Sequence, residues 1–194
     1  MRSLFKVIRH PIRIIGGAVQ FFDDRLNREH RSEMDRAMRG ALVVVVIVAA
    51  TGTIGAAVAW LSLHHPLGWI IEFLALVSLV AQRGLYDHVR AVAVALKEGV
   101  DQGRRAGAHI VGRDPESLDG PGVARAAIES LAENFSDAVV APVFWYVLFG
   151  FPGILIYKAV NTMDSMIGHR TPQYRAFGMT AARLDDVLNL IPAR

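Results

Sequence analysis

Residues 41–61 most constrain what this chain can fold into, because ALVVVVIVAATGTIGAAVAWL contains no charged side chain. About 20 apolar residues in a helix span the hydrocarbon core of a bilayer. The β-branched residues would also suit a buried strand, but strands rarely exceed about 10 residues. The run therefore predicts a membrane-spanning helix, in which Gly52 and Gly55 suit close packing against another helix.

A second apolar run, residues 66–81, follows after only Ser62 to His65 and is interrupted by Glu72. Such a short connection predicts a transmembrane helical hairpin. Lys and Arg are frequent before the first run and after the second. Because cytoplasmic loops carry an excess of these residues, both flanks are expected on the cytoplasmic side.

A third apolar run covers residues 138–160, and the segment after it, residues 161–194, again carries arginines. A full crossing would place those arginines outside, against the positive-inside rule. Four residues interrupt this run: Pro142, Gly150, Pro152 and Gly153. We therefore expect a re-entrant hairpin with both ends cytoplasmic, a conformation tolerated where protein covers the backbone.

The remaining segments are predicted to form cytoplasmic amphipathic helices. We expect one helix over residues 84–107, a Gly- and Pro-rich loop, and a second helix over 122–137. Thr171 and Pro172 are expected to begin the last helix, as its cap and first residue. One apolar stripe follows on that helix: Tyr174, Phe177, Ala181, Leu184, Leu188 and Ile191. The whole chain, 1–194, is thus predicted to be a single, membrane-embedded, all-α domain with its polar cluster on the cytoplasmic face.

Composition excludes several classes of function. The chain is 53% hydrophobic and has no cysteine, so disulfides and thiolate metal sites are excluded. The net charge of +3 is mild, and no basic stripe interleaved with aromatic residues points to nucleic acid.

Carboxylates on the 122–137 helix form the first candidate site. Glu129, Glu133 and Asp137 recur at four-residue spacing, flanked by Ser130 and Asn134. Like charges at this spacing destabilise a helix, and Mg²⁺ would relieve the repulsion. On spacing alone a solvated acidic face is the commoner explanation.

The stretch AVNTMDSMIGHR provides the second candidate. Asn161, Asp164, Ser165 and Gly168 share one helix face, opposite an apolar face that includes Val160 and Met163. Asn, Asp and Ser are poor helix formers, whereas ordinary surface stripes are rich in Lys and Glu. An amphipathic helix at the membrane interface is the alternative.

Asp185 lies beside the apolar stripe of the last helix. A carboxylate in that position needs a partner or a ligand. A salt bridge to a neighbouring helix is an equally good explanation.

Long blocks resemble the CobD/CbiB family of cobalamin biosynthesis: HIVGRDPESLD, RAAIESLAENFSDAVVAPVFW, PGILIYKAVNTMDSMIGHR and YRAFGMTAARLDDVLNLIPAR. HPIRIIGG near the start resembles the family's early His-Pro-Val-Arg-x-Ile-Gly. Ala138 and His169 stand where that family usually has Gly and Tyr. Relative to the family, the chain is expected to be shortened at both ends.

The resemblance implies an adenosylcobinamide-phosphate synthase-like ligase, an integral membrane enzyme that joins aminopropanol or its phosphate to a propionate carboxylate of adenosylcobyric acid. ATP as cosubstrate and Mg²⁺ are the expected requirements. Five carboxylates are the candidate catalytic residues: Glu129, Glu133, Asp137, Asp164 and Asp185. Among these, Glu133, Asp137 and Asp164 are the candidate metal ligands. The candidate substrate-binding residues are Asn134, Asn161, Ser165, Lys158, Arg170 and Arg113.

Other interpretations stay open at this point. The chain could be a non-catalytic membrane scaffold for cobalamin-pathway enzymes. It could also be a small transporter, for which Glu72 would be the first suspect. Its partners are expected to be the corrinoid, aminopropanol and the lipid bilayer, with no nucleic acid, and either a homo-oligomer or a complementary segment could complete it.

Overall fold

The computed structural model describes residues 11–80, 82–108 and 118–193, and these contain helices and no β-strand. The helices are α1 (Pro11–Leu26), α2 (Glu33–His64), α3 (Gly68–Leu79), α4 (Gln82–Glu98), α5 (Val100–Gly107), α6 (Gly120–Phe135), α7 (Ala141–Ile167) and α8 (Met179–Asn189), with a π-helical turn at Ser136–Val140. The predicted all-α class is confirmed. The described helices group into two compact units, residues 11–80 with 141–192, and residues 82–108 with 118–140.

The first unit is built on α2, a 32-residue helix that packs mainly against α7. Ser32 caps its beginning, because the hydroxyl accepts a hydrogen bond from the Asp35 amide at 3.2 Å. Val43, Ile47 and Thr51 recur at four-residue spacing and are buried. By length and composition, Glu33–His64 and the stretch Gly120–Ile167 are each long and apolar enough to cross a membrane.

The predicted hairpin between the first two apolar runs is formed, since α3 follows α2 after a tight turn and packs against it. However, α3 has 12 residues and rises only about 18 Å, compared with about 30 Å for the bilayer core. The helix is therefore shorter than the predicted 66–81 segment, and its crossing of a bilayer stays a proposal.

Gly150 interrupts α7, with φ 66° and ψ −155°. This left-handed region favours glycine, and Pro152 follows in the same break. A Cβ placed on Gly153 would collide with the carbonyl of Trp145. Residues eight apart in a straight helix are separated by about 12 Å, so the chain must turn sharply between them. The helix is thus broken at Gly150, one of the four residues that interrupt the third apolar run, and the re-entrant course of this segment stays a prediction.

The second unit departs from the expected single helix over 84–107. Gly99, at φ 148°, separates α4 from α5, and α5 packs back on α4. A Cβ on Gly103 would collide with Leu96, so the two helices approach closely. The single-helix prediction was wrong because the helical periodicity of the sequence continues across Gly99, whereas the backbone of Gly99 is not helical. Val92, Val123 and Ala127 form the small core of this unit.

The last helix also begins later than predicted. Residues 171–178 form successive turns, and α8 starts at Met179 instead of at Thr171-Pro172. The Arg36 guanidinium binds the carbonyls of Pro172 and Gln173, which the first helical turn would otherwise have used. Phe177 and Ala181 of the predicted stripe are buried as expected, whereas Ile191 is exposed.

Candidate functional site

A polar cluster lies where the second part of α7 packs against α8. Asp185, only 8% exposed, accepts a hydrogen bond from Nδ2 of Asn189 at 2.9 Å. Its other oxygen lies 3.5 Å from Nδ2 of Asn161. The Tyr157 hydroxyl donates to Oδ1 of Asn189 at 2.9 Å. A buried carboxylate is thereby held between two side-chain amides.

Lys158 adds a cation to the same cluster. Its side chain is buried, with the residue 5% exposed, and Nζ lies 3.5 Å from Oδ1 of Asn161. Helical spacing explains the arrangement, because Lys158 and Asn161 lie one turn apart on α7, as Asp185 and Asn189 do on α8. Burying opposite charges costs free energy unless further polar groups satisfy them, and the amides serve that purpose here.

The next turns of α7 carry the rest of the predicted stripe. Asp164 is half-buried, and its carboxylate lies so close to Gly168 that a Cβ there would collide with it. Ser165 is exposed, and its hydroxyl donates to the Asn161 carbonyl at 2.9 Å. Arg170 is exposed just beyond the end of the helix. The stripe therefore grades from buried at Lys158 to exposed at Ser165, instead of lying wholly on the surface.

The other acidic candidates belong to the second unit. Glu129 and Glu133 are exposed on α6, and Nδ2 of Asn134 donates to the Ser130 carbonyl at 2.8 Å. Asp137 is half-buried in the π-helical turn. The predicted four-residue spacing thus runs from α6 into the π-helical turn, and the joint role of the three carboxylates stays a prediction.

The π-helical turn has one further property. The Ser136 hydroxyl is buried and finds no hydrogen-bond partner among the described residues. Single π-helical turns inside α-helices are frequent at functional sites, and unsatisfied buried polar atoms are rare. Both observations make the segment that contains Asp137 a candidate part of a functional site.

Arg113 falls outside the described residues, within 109–117. In the described part of the chain, no group of three or more His, Asp or Glu side chains could hold a metal ion.

An apolar cavity of about 400 Å³ adjoins the polar cluster. Its walls include Trp145 and Phe149, whose rings stack at 5.7 Å, together with Pro152 and Leu188. The indole nitrogen of Trp145 donates to the Leu188 carbonyl at 3.1 Å. Tyr157 both lines the cavity and binds Asn189, so one side chain connects the helix break with the polar cluster.

Sequence reasoning missed a second buried polar cluster, which fixes the turns before α8. Asp23 accepts hydrogen bonds from Asn27 at 2.8 Å and from the Tyr174 hydroxyl at 3.2 Å. Asn27 in turn accepts from Nε of Arg36 at 2.9 Å. Burial is the main cause of a raised pKa of Tyr174, and the nearby Asp23 carboxylate raises this pKa further. The phenol therefore stays protonated and donates its hydrogen bond to Asp23.

One signal in the sequence could have revealed this second cluster. Ile15, Val19 and Asp23 recur at four-residue spacing, and all three are buried. An aspartate on an otherwise apolar helix face needs a partner. Asn27 continues the same four-residue spacing, whereas Arg36 and Tyr174 come from other segments, which periodicity could not indicate.

Glu72, the charge within the second apolar run, is also partnered. The Tyr146 hydroxyl donates to its Oε1 at 2.8 Å. This bond ties α3 to the part of α7 before the Gly150 break. Ionisable residues in apolar segments commonly pair in this way.

The fold and the cluster define an all-helical protein with two helices that could span a membrane and a buried Asp–amide–Lys cluster beside a broken helix. The family model of the CobD/Cbib proteins matches residues 4–194. The chain belongs to this family, and its relatives support a role in cobalamin biosynthesis.

Three relatives share the description cobalamin biosynthesis protein CobD. The relative from a Sinorhizobium species is 48% identical over 98% of this chain. The relative from Rhodobacter capsulatus is 49% identical over 99% of it. That of Brucella anthropi is 46% identical over 99% of it. The chain spans about 60% of the length of these relatives. No solved structure matches the chain significantly.

Proposed function

We propose that this protein catalyses ATP-dependent amide formation between aminopropanol, or its phosphate, and a propionate carboxylate of adenosylcobyric acid. Membership of the CobD/Cbib family supports the pathway. The observation that carries the chemical assignment is the buried Asp185, held by two amides and accompanied by Lys158. Ionisable side chains are rarely buried, so such a cluster is a candidate for binding ions and polar substrates.

The reaction has two steps. A propionate oxygen attacks the γ-phosphorus of ATP, and ADP leaves. The amine then attacks the acyl carbon of the acyl phosphate, phosphate leaves, and the nitrogen loses a proton. Both steps require cations near phosphate oxygens and donors that orient the acyl group.

The residues of the first unit can meet these requirements. Lys158 and Arg170 supply positive charge for phosphates. Asn161 offers an amide that can orient the substrate, and Ser165 a hydroxyl next to it. Arg113 and Asn134 remain proposed substrate-binding residues, without a geometric argument for either.

Mg²⁺ fits the donor set of these residues. Asp185 and Asp164 present carboxylate oxygens, which Mg²⁺ prefers, and Mg²⁺ is usually held by one or two carboxylates plus substrate phosphates. A ready-made group of three protein ligands is therefore not required. When bound, Mg²⁺ would neutralise phosphate charge. Glu129, Glu133 and Asp137 on the second unit remain proposed contributors.

Growth of a bacterial strain that lacks the family enzyme tests the proposal. With cobyric acid as the sole corrinoid, the strain should grow on a cobalamin-requiring medium only when it expresses this chain. Cobinamide, which already contains the amide, should support growth with or without it. Growth on cobinamide but never on cobyric acid, despite normal amounts of the protein in membranes, would contradict the proposed activity.

We further propose that the protein is a multi-pass membrane protein and that α7 enters and leaves the bilayer on the cytoplasmic side. The sharp turn at Gly150 supports this topology. Because the chain has no native cysteine, single cysteines at Asp137 and His169 can be labelled selectively. Both should react with a membrane-impermeant maleimide only from the cytoplasmic side. Reaction of the two from opposite sides would show that α7 crosses completely.

Substitutions of Glu72, which accepts a hydrogen bond from Tyr146, distinguish the proposed enzyme from a transporter. Glutamine can still accept the Tyr146 hydrogen bond, so Glu72→Gln should retain at least about half of the growth on cobyric acid. Glu72→Leu leaves the half-buried phenol without this partner and should lower stability by about 1 kcal/mol. A transporter that uses the charge of Glu72 would fail equally with both variants. Growth and thermal unfolding in detergent distinguish these results.

A further inference from the structure

Two residues of the polar cluster, Tyr157 and Asn189, have no role in the chemistry assigned so far. Tyr157 is fully buried on α7, and Asn189 is the last residue of α8. The Tyr157 hydroxyl donates to Oδ1 of Asn189 at 2.9 Å. Nδ2 of Asn189 donates to Oδ2 of Asp185, also at 2.9 Å. The two bonds form a hydrogen-bond series that begins at Tyr157 and ends on the carboxylate of Asp185.

The direction of this series follows from what each group can donate. An ionised carboxylate only accepts hydrogen bonds, whereas a side-chain amide has donors on its nitrogen and an acceptor on its oxygen. The amide of Asn189 must therefore turn Nδ2 toward Asp185 and Oδ1 toward Tyr157. In the reverse orientation, Oδ1 would face the carboxylate, and the two acceptors would repel each other. By donating to Oδ1, the Tyr157 hydroxyl stabilises the orientation in which Asn189 can bind Asp185.

A second set of donors reaches the other oxygen of the same carboxylate. Nδ2 of Asn161 lies 3.5 Å from Oδ1 of Asp185, and Nζ of Lys158 lies 3.5 Å from Oδ1 of Asn161. N–H donors usually lie about 2.9–3.0 Å from their acceptors, and hydrogen bonds weaken as this distance grows. Of the two sets, the series from Tyr157 therefore holds the carboxylate more tightly.

We propose that Tyr157 and Asn189 are positioning residues for Asp185. They hold the carboxylate in one orientation and stabilise its negative charge, and neither contacts the substrate. This inference rests on the proposed function, in which Asp185 takes part in amide formation. Reacting groups are effective only when the residues behind them keep them close to the productive geometry.

Tyr157→Phe tests the first bond of the series, because phenylalanine fills the same space and removes only the hydroxyl. The kcat of amide formation should fall about tenfold, as expected for one lost hydrogen bond. KM for ATP should change less than about twofold, since the substrate loses no contact. Tyr146→Phe is the matched control on α7, where the hydroxyl binds Glu72 instead. Its kcat should stay within about twofold of the unaltered chain.

A double variant shows whether Tyr157 acts through Asp185. When Asp185 is already asparagine, Tyr157→Phe should lower the rate no further, because the group that it positions is gone. If Tyr157 only anchored the end of α8, its loss would have the same effect with either residue at position 185. A tenfold loss in both backgrounds would therefore overturn the inference.

An exchange of Asn189 and Asp185 tests the second bond through stability. Asn189→Asp alone places two buried carboxylates against each other and should lower the thermal midpoint in detergent by at least about 5 °C. Adding Asp185→Asn restores one donor facing one acceptor and should recover most of that loss. The rate should remain at least about 100-fold low, because the charge has moved by one turn of α8. An exchanged protein with the normal rate, or one that recovers no stability, would contradict the proposed positioning.

The outcomes separate this inference from the proposed function. If the unaltered chain forms the amide and Asp185→Asn does not, but Tyr157→Phe keeps the normal kcat, the positioning role is wrong and the function stands. If the unaltered chain forms no amide, both proposals fail.

Discussion

Replacing Asp185 by Asn is expected to lower the rate of ATP-dependent amide formation at least about 100-fold, the size of effect that follows removal of a group stabilising transition-state charge. Asparagine preserves the shape of the side chain but removes the negative charge that Asn189 and Asn161 surround. The measurement is the initial rate of product formation by purified protein at saturating ATP.

Asp186→Asn is the matched control for this prediction. Asp186 is the next residue on α8, carries the same charge and is exposed, whereas Asp185 is buried. Its substitution should leave the rate within about twofold, since exposed surface changes rarely matter. If the Asp185→Asn protein unfolds at the normal temperature and keeps the normal rate of amide formation, Asp185 is not part of the active site.

The second large effect concerns the packing of α2 against the turns before α8. A Cβ on Gly40 would collide with the carbonyl of Phe177, which is backbone and cannot rotate away. Gly40→Ala should therefore destabilise the protein by at least about 3 kcal/mol, at the upper end of overpacking effects. For a chain of this size, that corresponds to a decrease of roughly 6–12 °C in the thermal midpoint, measured in detergent.

Gly17→Ala provides the comparison. Gly17 lies within α1, and a Cβ there would meet nothing within 4 Å. Alanine loses less backbone entropy than glycine in a helix, so this variant should gain about 0.5–1 kcal/mol. Equal midpoints for the Gly40 and Gly17 variants would show that α2 does not approach Phe177 as closely as described.

The sequence predicted those parts of the fold that depend on local composition. The uncharged run 41–61 predicted the apolar part of α2, although the helix itself extends from Glu33 to His64. Gly150 and Pro152 predicted the break in α7. Each of these properties acts on its own segment. The start of α8 could not be predicted in this way. Arg36, far away in sequence, takes the carbonyls that a helix beginning at Thr171 would need.

The candidate site was predictable to a similar degree. Asn161 and Asp185 stood out because polar residues beside apolar stripes need partners, and the structure places them 3.5 Å apart. Their connection through Asn189 to Tyr157 could not be read from the sequence, because it depends on how α7 and α8 pack. The π-helical turn that contains Asp137 could not be predicted, since nothing local indicates that α6 widens there.

The most direct test of the proposed function uses purified protein, Mg²⁺, ATP, aminopropanol and adenosylcobyric acid labelled with ¹⁸O in its propionate. Mass spectrometry should detect the amide, an equal amount of ADP, and one ¹⁸O atom in the released phosphate, as an acyl phosphate requires. If a full-length relative forms the amide under the same conditions and this protein, folded and in membranes or detergent, forms none, the proposed function is wrong.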